Sequence, residues 1–321
     1  MKKRNLKFFA IAWMCMLIGL SFTSCSDEPQ RPESEVDHKL HDDPYTAVLT
    51  LASGHFHGLL FHEDSDPDGA QYLKTEQTIT FTYVEGKGWR PAEGSDTIFR
   101  VFSGDKAQNI VSAYGLWIRY YNKKGEDITG QFVENNQDQI HQHFFTPRDV
   151  KPITLLGAVA APDDADPSKM FEYTYMDTTP WDKTLKDEGT QCTGGKNPVG
   201  LKGYFSFLKD RRTMTLRIRL MHARTSKFHH GVASPFYAPT PGQLASDHWD
   251  LEMDVPVVVL CSRGEEQEWE SVIDDYNQLT DAEKRVIDAI AYGYGISQQD
   301  ALAAFNLRIT GDYHSEGGRW F

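Results

Sequence analysis

The residues best suited to chemistry are histidines. Gly54-His55-Phe56-His57-Gly58 is followed closely by His62 and Glu63, and Ile140-His141-Gln142-His143-Phe144-Phe145 repeats the His-x-His spacing. On a β-strand, residues i and i+2 project from the same face, so each unit aims two imidazoles at one place. Neutral imidazole ligates zinc, copper, nickel and iron. Two such strands side by side would offer four nitrogens, so the spacing predicts one centre built from His55, His57, His141 and His143, with His62 as a further ligand. Glu63 and Asp138 are the carboxylates expected to orient the rings from behind. His229 and His230 are adjacent and cannot share a strand face, so at most one could join. The plainer alternative makes Phe56, Phe144 and Phe145 core residues and turns the histidines to water.

The donor set narrows the ion. Beyond the first 24 residues only Met170, Met176, Met214, Met221 and Met253 remain. Soft Cu(I) prefers thioether and thiolate, so a zinc-like divalent transition metal is the expected cofactor. Haem is the alternative, with two histidines as axial ligands; no Cys-x-x-Cys-His is present, so it would be held non-covalently. A third reading is a glycan or protein interaction module in which Trp89, Trp117, Trp181 and Trp249 are exposed stacking platforms. There is no His-Glu-x-x-His, Gly-x-Ser-x-Gly, phosphate loop or Gly-x-Gly-x-x-Gly, and no nucleophile or acid–base pair declares itself, so no catalytic residue is assigned. Cupin-type barrels place a glutamate shortly after their second histidine. Glu63 stands one residue late for that pattern, and a second cupin motif is not evident.

Positioning such side chains requires strands, and the sequence is rich in them. Thr78–Val84, Thr97–Phe102, Leu116–Tyr121, Tyr204–Leu208, Thr213–Met221 and Leu251–Leu260 are β-branched and aromatic runs. Segments such as Glu85-Gly86-Lys87-Gly88 and Asn122-Lys123-Lys124-Gly125 read as turns between them. Thr213–Leu220 alternates polar and apolar residues, as a half-buried strand should. No helices of 10–15 residues intervene, so the expected fold is mainly β: antiparallel sandwich or barrel-like domains with a C-terminal helical segment. The expected divisions are 44–150 for a β domain carrying the His-x-His units, 151–262 for a second β domain, and 263–321 for the helices. Asp163-Asp164-Ala165-Asp166-Pro167 marks the junction. Glu266–Gln278, Asp281–Tyr292 and Gln298–Asn306 are the predicted helices, and Thr280-Asp281-Ala282-Glu283 has the form of a capping box.

Two local resemblances bear on partners. Leu279-Thr280, Glu283, Val286-Ile287, Ile290-Ala291 and Gly293 resemble the start of the helix-turn-helix of response-regulator DNA-binding domains. Ile296–Asn306 carries no Lys or Arg to read a groove, so the segment is expected to be a packed helical appendage. At the other end, Lys2, Lys3, Arg4 and Lys7 precede an apolar run from Phe8 to Leu20, about 13 residues where a spanning helix needs about 20. Phe22-Thr23-Ser24-Cys25 then resembles the lipobox of bacterial lipoproteins, and Ser26-Asp27-Glu28 resembles the acidic export signal of surface lipoproteins in Bacteroidota-type bacteria. The resemblance implies a signal peptide over 1–24, lipid on Cys25, a flexible tether over 25–43, and attachment to the outer membrane, facing outward. A metal captured there could be handed to an outer-membrane transporter.

Charge and cysteine use agree with export. Loss of Lys2, Lys3, Arg4 and Lys7 would carry the formal charge from -13 to -17, which repels phosphate backbones and argues against nucleic acid as a partner. Cys192 and Cys261 would then be an even pair in an oxidising compartment, and a disulfide between them is expected. Closing a loop of about 70 residues would stabilise the fold by roughly 4 kcal/mol.

Overall fold

In a computed structural model the described residues are 39–58, 60–104, 112–267, 269, 271–313 and 319–320. The chain divides into Met1–Glu33 and Ser34–Phe321. The signal segment and Cys25 lie outside the described residues. In chain order the strands are β1 (Thr46–His57), β2 (Leu60–Glu63), β3 (Glu76–Val84), β4 (Gly88–Pro91), β5 (Phe99–Ser103), β6 (Ala113–Tyr121), β7 (His141–Pro152), β8 (Phe171–Tyr175), β9 (Thr178–Thr179), β10 (Gln191–Cys192), β11 (Lys202–Phe207), β12 (Arg212–His222), β13 (Phe228–His229), β14 (Val232–Ala233) and β15 (His248–Ser262).

Seven of them form an antiparallel sheet in the order β4-β3-β1-β6-β11-β8, with β2 paired to β1. Four others form a second sheet, β5-β15-β12-β7, in which β5 runs parallel to β15 and the remaining pairs are antiparallel. The period-2 pattern of β12 explains the packing: Met214, Leu216, Ile218 and Leu220 are buried while the residues between them are half exposed. They share one core with Phe145 of β7 and Val255 of β15, and with Leu49, Ile118 and Phe205 of the other sheet. Each such buried side chain contributes roughly 1.5–3 kcal/mol. The fold is therefore mainly β, with curled antiparallel sheets and a C-terminal helical segment.

β15 shows why the helices belong. Its alternation gives way to an unbroken buried run, Val257–Cys261, which a strand covered on both faces should have. Val257 and Val259 enter the sandwich core; Val258, Leu260 and Cys261 pack with Val286, Ile287, Ile290 and Leu302 from the helices Asp281–Tyr294 and Gln298–Thr310. Gly293 lets the helix approach closely, because a Cβ there would force the Leu260 side chain to shift. The capping box forms as expected: Thr280 Oγ1 accepts from Glu283 N, and Glu283 Oε2 accepts from Thr280 N at 2.7 Å.

Three expectations are corrected. The predicted helix Glu266–Gln278 is only a short helix, Arg263–Gln267, and a 3-10 turn, Tyr276–Gln278. Between them the Asn306 side chain takes both the N–H and the carbonyl of Ile273, replacing helical partners. The junction expected at 150–168 falls inside the single unit Ser34–Phe321, and Asp164 is buried there against Lys209 and Arg212. The disulfide is not formed: Cys192 is an exposed free thiol on β10, and Cys261 is a buried free thiol beneath the helices. Burial pushes the Cys261 thiol well up.

Candidate metal centre

The histidines gather in two places. At one end of the four-stranded sheet, β7 begins with His141, β12 ends with His222 and β15 begins at His248. The antiparallel register sets His222 opposite both His141 and His248. Leu220 pairs with Leu251 and Met221 pairs with Trp249, so Asp250 is the extra residue of a β-bulge. Strict alternation would set Asp250 with the exposed Glu252 and Asp254; the bulge turns its side chain inward instead, where it is fully buried. His41, from the segment before β1, completes the group.

The four side chains converge closely. His41 Nε2 lies 3.4 Å, His141 Nε2 3.4 Å and His222 Nδ1 3.3 Å from Asp250 Oδ2. His41 Nε2 lies 3.2 Å from His222 Nδ1. All four side chains have zero exposure. Outside the cluster, His41 Nδ1 donates to Asp42 O and His141 Nδ1 donates to Gln137 O, each at 2.9 Å. Those bonds fix the tautomer and leave the two Nε2 lone pairs aimed at a carboxylate oxygen. Neither His141 Nε2 nor Asp250 Oδ2 has a hydrogen-bond partner among the described residues. Buried acceptors facing one another repel unless a proton or a cation lies between them. Asp250 Oδ1 is held separately by Lys39 at 2.8 Å.

Electrostatics fit that role. Burial opposes ionisation of Asp250, but the three imidazoles packed 3.3–3.4 Å from Oδ2 overcome it and hold the carboxyl far below the usual carboxylate range. Burial pushes His141 down to about 4 against the pull of Asp250, so the ring is neutral at physiological pH.

The second group is exposed. His55 and His57 of β1 and His62 of β2 lie together, with His55 directly opposite His62. His55 Nε2 is 3.0 Å from His57 Nε2, and Asp64 Oδ1 holds His55 Nδ1 at 2.7 Å. Gly54 makes the hairpin possible, since a Cβ there would meet the His62 carbonyl and the Phe61 ring. Gly54→Ala should therefore cost about 1–3 kcal/mol as overpacking. A urea midpoint unchanged from wild type would contradict it.

The single four-histidine centre expected from the spacing is thus replaced by two groups that share no residue. His55, His57 and His62 come together; His141 joins residues far away in sequence; His143 joins neither group. His143 does share its strand face with His141, but its Nδ1 donates to Val199 O at 2.7 Å and its Nε2 accepts from Tyr120 Oη at 2.6 Å. Burial pushes it down to about 3, and with both nitrogens engaged it has no lone pair to give. Glu63 accepts from Arg319 N, and Asp138 accepts from Asn197 Nδ2, so neither orients a ligand. Asp64 does. Neither His229 nor His230 belongs to either group. Sequence reasoning passed over His41, His222 and Asp250; only His222, closing an alternating strand, carried a usable signal. The assigned tether is also too long, because Lys39 and His41 are already packed.

No protein-family model, no curated protein and no solved structure matches this chain.

Proposed function

We propose that this protein binds a zinc-like divalent transition metal at His41, His141, His222 and Asp250. One observation carries the reading. A tetrahedron with metal–ligand arms of about 2.0–2.1 Å has six edges of about 3.3 Å; four separations in the cluster are 3.2, 3.3, 3.4 and 3.4 Å, and one ligand atom from each residue lies within 4.8 Å of the others. The donors are three imidazoles and a carboxylate with no thiolate, which favours a borderline or hard divalent ion. Four fully buried protein ligands leave no open position, which supports a retained ion over one that activates water.

The rival readings fare less well. A haem would need a flat cavity between its axial imidazoles, whereas these nitrogens sit 3.2 Å apart. The tryptophans proposed as stacking platforms are at most partly exposed: Trp89 is 7% exposed, and Arg319, Arg119 and Arg219 occupy one ring face each of Trp117, Trp181 and Trp249. The outer-membrane lipoprotein address, and with it delivery of metal to a transporter, rests on residues 1–28.

The test is elemental analysis of tag-free protein before and after prolonged dialysis against a chelator. The expected result is a zinc-like ion at one per chain that survives brief chelation. Protein that carries no metal, and takes up none when refolded with zinc, iron, manganese or copper, overturns the proposal.

A further inference from the structure

The exposed histidines belong to a different kind of site. His55 and His57 project from one face of β1, and β2 folds back so that His62 meets them. The ring centroids are 4.8 Å apart for His55–His57, 5.3 Å for His55–His62 and 5.7 Å for His57–His62. One nitrogen from each lies within 4.8 Å of the others. Asp64 anchors the outer nitrogen of His55 and so directs Nε2 into the group. No acid completes this set among the described residues, and the His55 side chain is 52% exposed.

We propose that His55, His57 and His62 form a second site for a divalent transition metal, open to solvent and independent of the buried centre. Three imidazoles leave a fourth position for water or an incoming ligand. A metal held there exchanges without unfolding the chain, because no strand has to move to expose it. Trp320, joined to His62 by an isolated antiparallel bridge, forms one wall: its ring stacks on that of His62 at 4.2 Å and 23°, lies 5.3 Å from His57, and carries Lys186 Nζ over it at 3.6 Å. It is a built-in optical reporter for the site.

The experiment uses tag-free full-length protein loaded with zinc and mixed with a chromogenic chelator. Wild type should release zinc in two phases, one equivalent within seconds and one over hours. His57→Ala/His62→Ala should delete the fast phase and leave the slow one, and Asp250→Asn should do the reverse. A fast phase that persists in the double variant, or that never occurs in wild type, overturns the surface site while leaving the buried centre standing. A missing slow phase alone counts against the buried centre only. As a second measurement on unaltered histidines, Cu(II) should quench tryptophan emission in wild type, and Trp320→Phe should remove most of that response. Equal quenching in both proteins also overturns the proposal.

Discussion

Asp250→Asn should erase most of the stability that zinc confers. With free zinc at about a thousand times Kd, a ligand that binds only the folded state stabilises it by about 4 kcal/mol. For a domain of this size that raises Tm by about 10 °C. The substitution keeps shape but replaces a charged ligand with an amide, whose N–H can donate to His41 Nε2 or His141 Nε2 but cannot bind a metal. It also removes the buried charge that Lys39 pairs with, leaving Asp43 as the carboxylate partner of Lys39. A smaller loss, about 1–3 kcal/mol, is therefore expected even without metal. Thermal melts of both proteins, with zinc and with chelator, separate the two effects. If the variant shows the same zinc-induced shift as wild type, Asp250 is not a ligand.

The metal-free protein should be strongly destabilised by mild acid. His141 and His143 are held neutral by burial, their folded values lowered to about 4 and about 3. Once unfolded, each takes a proton below about pH 6.5. Between the two values the unfolded state binds more protons, so folding stability falls as pH falls; above about 6.5 the penalty vanishes. Each group costs about 1.4 kcal/mol per pH unit, so moving from pH 6.5 to 4.5 removes about 5 kcal/mol, comparable with the whole stability of many domains. Urea midpoints of metal-free protein at pH 7 and 4.5 measure this. His143→Gln, which cannot titrate, should show roughly half the wild-type loss. Equal midpoints at the two pH values would contradict the assignment of both rings as neutral.

The fold was legible because its signals are local. The alternation in Thr213–Leu220 reports a half-buried strand directly, and Thr280 and Glu283 report a helix start directly. The His-x-His spacing also reported what it physically contains, a shared face: His55 with His57, and His141 with His143. It could not report which residues face them from other strands. Asp250 sits in a polar alternation with Glu252 and Asp254, which reads as solvent-facing, and only a bulge in the pairing with β12 reverses that. His41 lay in a polar, proline-containing stretch whose composition looks like a linker, yet it is 6% exposed. Cys192 and Cys261 show the same limit, since an even count says nothing about one thiol being on an exposed hairpin and the other under helices.

The place of His41 in the chain has a mechanical meaning. It precedes β1, whereas His141, His222 and Asp250 belong to three strands of the other sheet. A metal ion bound by all four is therefore a clasp across the sandwich, fastening the incoming chain to strands it never hydrogen-bonds with as a ladder. Tension entering from the N-terminal side would reach Lys39 and His41 before it reached the β1 ladder. The load would be shared among three strands through coordination bonds, and β1 would be spared being peeled one rung at a time.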